Sequence, residues 1–261
     1  MRSPQRSLPQ LDDLPGPAHL RRLRLQLADG AATTLYVAGY EDARTDLRIV
    51  RLRRRAPLEA WCAAREVDEA LVGGFYVRPR GEPLGELRTR GMARAHVPFT
   101  APWDARRACV HVFRREVRIA PRAELGPAPR GDLLQAGPLL VQAGRSVCSD
   151  GADPEGFSAA AHQFDSDITA GRHPRAALAV CGGCLLAVAC DGRADDDAGL
   201  TLGELAQALL ELGATDALNL DGGGSTSLVC GGRLRNVPRE EHGIALPVGR
   251  AIPTALAFLP R

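Results

Sequence analysis

Residues 185–221 read LLAVACDGRADDDAGLTLGELAQALLELGATDALNLD, and the succession of periods along this stretch decides the fold. The apolar run over 185–190 has the length and composition of a buried strand, closed by Asp191-Gly192. Thr201 then stands at a helix start, with Glu204 three residues on as a capping-box partner and Leu200 facing Leu205 as a hydrophobic staple. Leu202, Leu205, Ala206, Leu209 and Leu210 recur at i, i+3, i+4, i+7 and i+8, which is one face of a helix that Gly213 ends. Beyond it, Ala217, Asn219 and Asp221 alternate with Leu218 and Leu220, so on a strand the amide and the carboxylate share a face. The order strand, helix, strand predicts a right-handed parallel crossover. Asp191 and Asp221 then emerge at one sheet edge, outside the carboxyl ends of the strands, where ligands bind in such sheets. Adjacent strands would set their axes ~4.8 Å apart and one intervening strand would double that, and the spacing selects neither.

Asp221 leads into Gly222-Gly223-Gly224-Ser225-Thr226-Ser227. Glycine permits positive φ and close backbone approach, and successive N–H groups in such a turn form a nest for an anion. The three hydroxyls add polar groups, so the loop reads as a site for something negatively charged. Upstream, apolar runs over 176–180 and 185–190 flank Cys181-Gly182-Gly183-Cys184, where Gly-Gly suits a two-residue hairpin turn. A zinc or redox role for this C-x-x-C needs a second ligand pair or a helix start after the first Cys, and the sequence has neither.

The N-terminal half carries shorter signals. Residues 1–19, rich in Pro and polar groups, read as a flexible arm, and 20–261 as a single domain. Leu23, Leu25 and Leu27 alternate up to Asp29-Gly30, and 34–37 follows, which predicts a hairpin. A strand is expected over 47–52, a helix over 57–70, and further strands over 93–97, 108–113, 117–120 and 133–141, with a long loop over 142–172. The fold class expected is α+β: a mixed, largely antiparallel sheet with packed helices and one βαβ crossover near the C-terminus.

Composition excludes several functions. Hydrophobic content of 45% and charged content of 25% are those of an ordinary globular chain. Every one of the 33 basic residues is Arg, but 31 acidic residues are interspersed with them, so there is no one-sided basic footprint for nucleic acid. Seven cysteines without a repeated spacing argue against a disulfide framework and for a reducing compartment. No stretch approaches the ~20 apolar residues of a membrane span, and 1–17 lacks the apolar core of a signal peptide, so the expected location is cytoplasmic.

With these pieces in place, the chain resembles the phosphodiester glycosidase family. The matching features are Gly73-Gly74-Phe75-Tyr76, Gly81-Glu82-Pro83-Leu84-Gly85, Ala136-Gly137-Pro138-Leu139-Leu140 and Arg172-His173-Pro174-Arg175, then Asp191-Gly192-Arg193, the 200–213 helix, 219–226, and Arg250 before a strand over 254–258. The similarity is strong over 172–258 and patchy over 73–140; Gly73 replaces a common Asn and Ala176 a common hydroxyl residue. The resemblance implies a hydrolase that removes a GlcNAc-like sugar from a glycosyl-1-phosphodiester, with nucleotide sugars and phosphoglycoside metabolites among the candidate substrates. Its leaving group is already an acidic phosphate, so the task is to stabilise an oxocarbenium-like sugar and the charge gathering on phosphate oxygens. Asp221 is then the carboxylate for the anomeric carbon, with Asp191 as second carboxylate and Glu82 behind it. Arg175, Arg193 and Arg250 are the phosphate clamps, since a guanidinium presents a planar fork to phosphate. Asn219, Gly222, Gly223, Gly224, Ser225, Thr226, Gly74 and Phe75 complete the expected substrate contacts. His173 is read as structural or substrate-lining. No cofactor is required; Asp195-Asp196-Asp197 invites a divalent cation, but three adjacent carboxylates do not make a cage. The partner is a small glycosyl phosphodiester, with no nucleic acid and no membrane. Two other readings are a phosphoglycan or nucleotide-sugar binder without catalysis, and an actin-like phosphotransferase or polyphosphatase. The last needs the glycine loop between two strands of an early hairpin and repeated in a second lobe, and here it is late and single.

Overall fold

A computed structural model of the protein describes residues 19–149, 153–158 and 168–261. The expected N-terminal arm lies outside them apart from His19, which opens the first strand, His19–Gln26. Seven strands form the largest sheet, in the order His19–Gln26, Ala32–Glu41, Cys184–Cys190, Arg175–Cys181, Ala214–Asn219, Leu139–Gln142 and Arg145–Ser146. A second sheet runs Glu116–Pro121, Ala108–Phe113, Asp132–Gln135, Leu87–Thr89, Met92–Ala93. The third runs Arg233–Leu234, Leu228–Cys230, Ala70–Val72, Ile252–Pro260, Thr45–Ala56. A small ribbon pairs Tyr76–Val77 with Glu82–Pro83.

Period-two alternation divides the large sheet between two cores. On one face Val37, Ala177, Ala179, Val188 and Ala217 pack with Leu205 and Leu209 of the helix Leu202–Glu211. On the other, Ala38, Leu178, Ala187, Leu218 and Leu220 meet Leu71, Val110, Leu134 and Leu256 from the other two sheets. The helix has the capping box its sequence predicts: Glu204 N–H donates to Thr201 Oγ1 at 3.1 Å, and Thr201 N–H to Glu204 Oε2 at 2.9 Å.

Several expectations are corrected. The protein is β-rich, and beyond Leu202–Glu211 its α-helices among the described residues are the short Leu58–Ala63 and Trp103–Arg106, so α+β describes it only in part. The strands Cys184–Cys190 and Ala214–Asn219 run parallel, as a crossover requires, but they do not pair. Arg175–Cys181 lies between them, antiparallel to both. The cause is the Gly182-Gly183 hairpin, which fills one edge of Cys184–Cys190 while Ala32–Glu41 fills the other. The returning strand can then join only outside the hairpin. Among the described residues every strand pair is antiparallel, leaving one isolated parallel bridge between Leu84 and Val97. The 57–70 helix stops at Ala63, three residues before Glu66 turns the backbone to φ 53°. The strand expected over 133–141 is two strands in different sheets, broken at Gly137-Pro138. Cys181 and Cys184 are joined by a disulfide across their hairpin turn, and the other five cysteines are buried.

Candidate active site

The three sheets meet where the strand Ala214–Asn219 ends and the glycine loop begins. Asp221 N–H donates to Gly73 O at 3.0 Å, tying the loop to the third sheet. Gly73 N–H in turn donates to Thr254 O at 2.9 Å. A Cβ on Gly73 would lie 2.4 Å from Thr254 Oγ1, so this close approach of two strands requires glycine. Gly222 is equally confined, since a Cβ there would fall 2.8 Å from Pro174 O.

These contacts frame a cavity of 320 Å³ lined by Phe75, Tyr76, Arg78, His173, Arg175, Arg193, Asn219, Asp221, Glu240 and Arg250, among others. Asp221 Oδ1 accepts from Gly222 N–H at 3.0 Å, while Oδ2 is buried and has no hydrogen-bond partner among the described residues. Burial pushes the Asp221 carboxyl up to about 6, against the pull of the nearby Ser225 hydroxyl, the Arg250 guanidinium and Gly222 N–H. Asn219 is buried, its Nδ2 donating to Gly137 O at 2.9 Å and Leu220 O at 3.0 Å. Two carbonyl acceptors fix the amide orientation and turn Oδ1, buried and unpartnered, to the remaining side. Tyr76 Oη is in the same condition, and burial together with the Asp221 charge keeps the phenol protonated, its pKa raised. Unpartnered buried polar atoms concentrated in one cavity mark a place prepared for a polar ligand.

The arginines differ in what they can offer. Arg175 is buried, and three of its N–H groups reach the carbonyls of Leu200 at 2.6 Å, Ile168 at 3.1 Å and Gly171 at 3.2 Å. It acts as a strut across the cavity wall. Arg250 makes a two-pronged pair with Glu240, Nε to Oε1 at 2.9 Å and Nη2 to Oε2. Arg193 Nη1 reaches Arg239 O at 3.3 Å and Nη2 reaches His173 Nδ1 at 3.4 Å. Its guanidinium lies over the glycine loop, Nη1 standing 3.1 Å from where a Cβ of Gly223 would be. Arg78, which motif reading passed over, also lines the cavity, and its charge acts on Asp221.

The two other expected carboxylates are elsewhere. Asp191 is buried outside the cavity lining, and its Oδ1 accepts from Val237 N–H at 2.7 Å. Burial raises its carboxyl to about 6, with Val237 N–H opposing. Its position at the end of Cys184–Cys190 is as read, but the intervening strand Arg175–Cys181 separates it from Asp221. Glu82 is exposed on the small ribbon and outside the lining. The cavity's other carboxylates are Glu240 and Glu241, delivered by the turn following Pro238. Arg239, Glu240, Glu241 and His242 form a charged run between Pro238 and Gly243 whose loop character is legible, but no periodicity ties it to the glycine loop.

The loop itself is not an open nest. Gly222 N–H donates to Asp221, Gly223 N–H to Pro174 O, Ser225 N–H to Gly222 O and Thr226 N–H to Gly223 O. Ser225 and Thr226 are fully buried behind it, as is Gly224, and Gly74 sits outside the lining, its N–H donating to Thr254 Oγ1. The glycines therefore shape the cavity wall, and the guanidinium groups supply its positive charge. The loop also leads from one sheet to another, Ala214–Asn219 to Leu228–Cys230, and closes no hairpin.

An antiparallel β scaffold thus sets the Asp221 carboxyl among several guanidinium groups around one cavity, a surround suited to an anionic ligand. The chain belongs to the phosphodiester glycosidase family, whose profile matches residues 65–259. In fold it is similar to the catalytic domain of zebrafish N-acetylglucosamine-1-phosphodiester alpha-N-acetylglucosaminidase, auto-inhibited by its pro-peptide. That likeness has a TM-score of 0.69 at 18% identity, over 94% of this chain and 83% of that one. A hypothetical protein from Synechocystis gives 0.63 at 20% identity, over 95% of this chain and 64% of that one. A putative exported protein from Burkholderia pseudomallei gives 0.56 at 17% identity, over 88% and 74%. No curated protein matches in sequence. No helix among the described residues is long and apolar enough to cross a membrane.

Proposed function

We propose that the protein hydrolyses a glycosyl-1-phosphodiester, releasing a GlcNAc-like sugar, with Asp221 at the anomeric carbon as nucleophile or as base for water. The observation that carries this is the Asp221 carboxyl: it lines the cavity, keeps Oδ2 unpartnered and forms no ion pair among the described residues. Glu240, by contrast, is held by Arg250. Because the departing phosphate is a weak base, one ionised carboxylate and a cationic surround suffice. Asn219 Oδ1 and Tyr76 Oη are the partners for sugar hydroxyls, and Arg193, Arg250 and Arg78 receive the phosphate. Asp191 and Glu82 have no place in this chemistry: Asp191 is taken up by Val237 N–H, and Glu82 is exposed outside the cavity.

The test is release of free sugar from a synthetic GlcNAc-1-phosphodiester, with Asp221→Asn as control. Release that persists undiminished in that variant removes Asp221 from the mechanism, and the absence of release by the native protein from any glycosyl phosphodiester sinks the proposal.

A further inference from the structure

Behind the cavity wall, outside its lining, sits a buried acid that the chemistry above does not use. Glu155 is 6% exposed, and its two oxygens tie together two sheets. Oε2 accepts at 2.9 Å from the N–H of Ala108, the first residue of Ala108–Phe113, and Oε1 accepts from the N–H of Leu139, the first residue of Leu139–Gln142. The turn that delivers Glu155 is itself held. Asp153 Oδ1 and Oδ2 accept from Phe157 N–H and Ser158 N–H, both at 2.7 Å, and buried Arg107 donates to Glu155 O at 3.1 Å and Gly156 O at 2.9 Å. The Arg107 guanidinium lies over the Phe99 and Phe157 rings, 4.2 and 4.0 Å from their centroids.

From this clasp a short path leads to the cavity. Gly137 and Pro138, just ahead of Leu139, are joined to Asn219 by three hydrogen bonds: Gly137 N–H to Asn219 O at 3.1 Å, Asn219 N–H to Pro138 O at 3.0 Å, and Asn219 Nδ2 to Gly137 O at 2.9 Å. The last of these aims the unpartnered Oδ1 of Asn219. Glu155 also presses on Gly137 directly, since a Cβ there would stand 2.9 Å from Oε2 and 2.8 Å from the Phe157 ring. Phe157 in turn meets Phe75, a lining residue, edge-on at 5.9 Å between centroids.

The charge state of Glu155 decides how much of the clasp is made. A carboxylate gives both N–H groups a full acceptor, whereas the neutral acid brings a donor of its own into a space that already holds one. Burial raises this carboxyl to about 7, opposed by Leu139 N–H, Ala108 N–H and the Arg107 charge and assisted by the Asp153 charge. The other ionisable groups around it are the Cys109 thiol, itself pushed up by burial, and Arg106 and Glu124, which line with it a pocket of 460 Å³ that shares no lining residue with the cavity.

We infer that Glu155 is a positioning residue for the reaction: as a carboxylate it holds residues 137–139, and through them the Asn219 amide, in the orientation that receives a sugar hydroxyl. This rests on the glycosidase reading of the cavity and adds to it a residue that touches no substrate.

The experiment follows kcat/KM for sugar release from a synthetic GlcNAc-1-phosphodiester between about pH 5 and pH 9. The native protein is expected to show a rise near 7 above the one that Asp221 gives at about 6. Glu155→Gln keeps one acceptor oxygen and sets an amide NH2 against the other N–H, so it reproduces the neutral acid at every pH. Its kcat/KM should match the native value within about twofold near pH 5.5 and fall about tenfold below it near pH 8.5. Asn219→Ala leaves Glu155 in place and cuts the path, so its profile should keep the rise at about 6 and lose the one near 7; that profile decides the question alone if Glu155→Gln does not fold. An equal loss in Glu155→Gln at both pH values, or a rise near 7 that survives in Asn219→Ala, overturns this inference and leaves the glycosidase reading in place. Absence of sugar release from the native protein at every pH overturns both.

Discussion

At the scale of single residues, Asp221 governs both chemistry and stability. Its carboxyl titrates at about 6 instead of 3.8 because burial outweighs the stabilising neighbours. Between those values the folded chain holds a proton that the unfolded chain has released, so stability falls as pH rises through this window and is fully reduced above it. The cost at neutral pH is up to about 3 kcal/mol. Asp221→Asn keeps an acceptor for Gly222 N–H and removes the charge. It is therefore expected to be more stable than the native protein above pH 6, the difference vanishing toward pH 4, as urea melts at a series of pH values would show. The same variant is expected to lose sugar release on the order of 10³-fold or more. Native kcat/KM should rise with pH through about 6, since the ionised carboxylate is the active form; an activity flat from pH 4.5 to 7.5 would count against Asp221 as base or nucleophile.

At the scale of elements, Asp191 shows what local pattern conveys and what it conceals. The sequence places it at the end of a buried strand, and it is there. The pattern does not reveal that the Gly182-Gly183 hairpin inserts a strand between it and Asp221, because pairing partners are set by which sheet edges are already filled. Its carboxylate instead accepts from Val237 N–H, just ahead of the turn that carries Glu240, Glu241 and His242. Asp191→Ala leaves that N–H without its acceptor, a loss of about 1–3 kcal/mol. Activity is expected to fall severalfold through disorder of that turn, whereas Asp191→Asn, which retains an acceptor, should restore most of both. A loss in Asp191→Asn as deep as that in Asp221→Asn would instead place Asp191 in the chemistry. The 202–211 helix is readable to its cap, since its period, capping box and terminal glycine are all local. The turn over 239–243 is not, because it reaches the cavity through tertiary contacts such as Arg193 Nη1 to Arg239 O at 3.3 Å.

At the scale of the whole molecule, the cavity exists because three sheets converge on a few glycines. Gly73 carries the junction: it receives Asp221 N–H, donates to Thr254 O, and has no room for a methyl group. Sequence alone offers only a bend in a strand at this position, since the strand it presses on, Ile252–Pro260, lies at the other end of the chain. In Gly73→Ala the new Cβ would stand 2.4 Å from Thr254 Oγ1 and 2.8 Å from the Thr254 carbonyl carbon, so the strands must separate. Overpacking of this kind costs about 1–3 kcal/mol. Because the carbonyl of Gly73 itself is the acceptor for Asp221 N–H, catalysis should suffer more than stability. The expected result is a folded protein with a lowered Tm and a kcat reduced by a factor of ten or more, where about 1 Å of misplacement is enough for such a loss. Thr254→Ala in the same chain removes the hydroxyl contact but leaves the backbone contact, so it should restore part of the Tm and little of kcat. A double variant that recovers full kcat would show that the sheets do not fix Asp221 through Gly73, and the carboxylate's position would then have to come from the glycine loop alone.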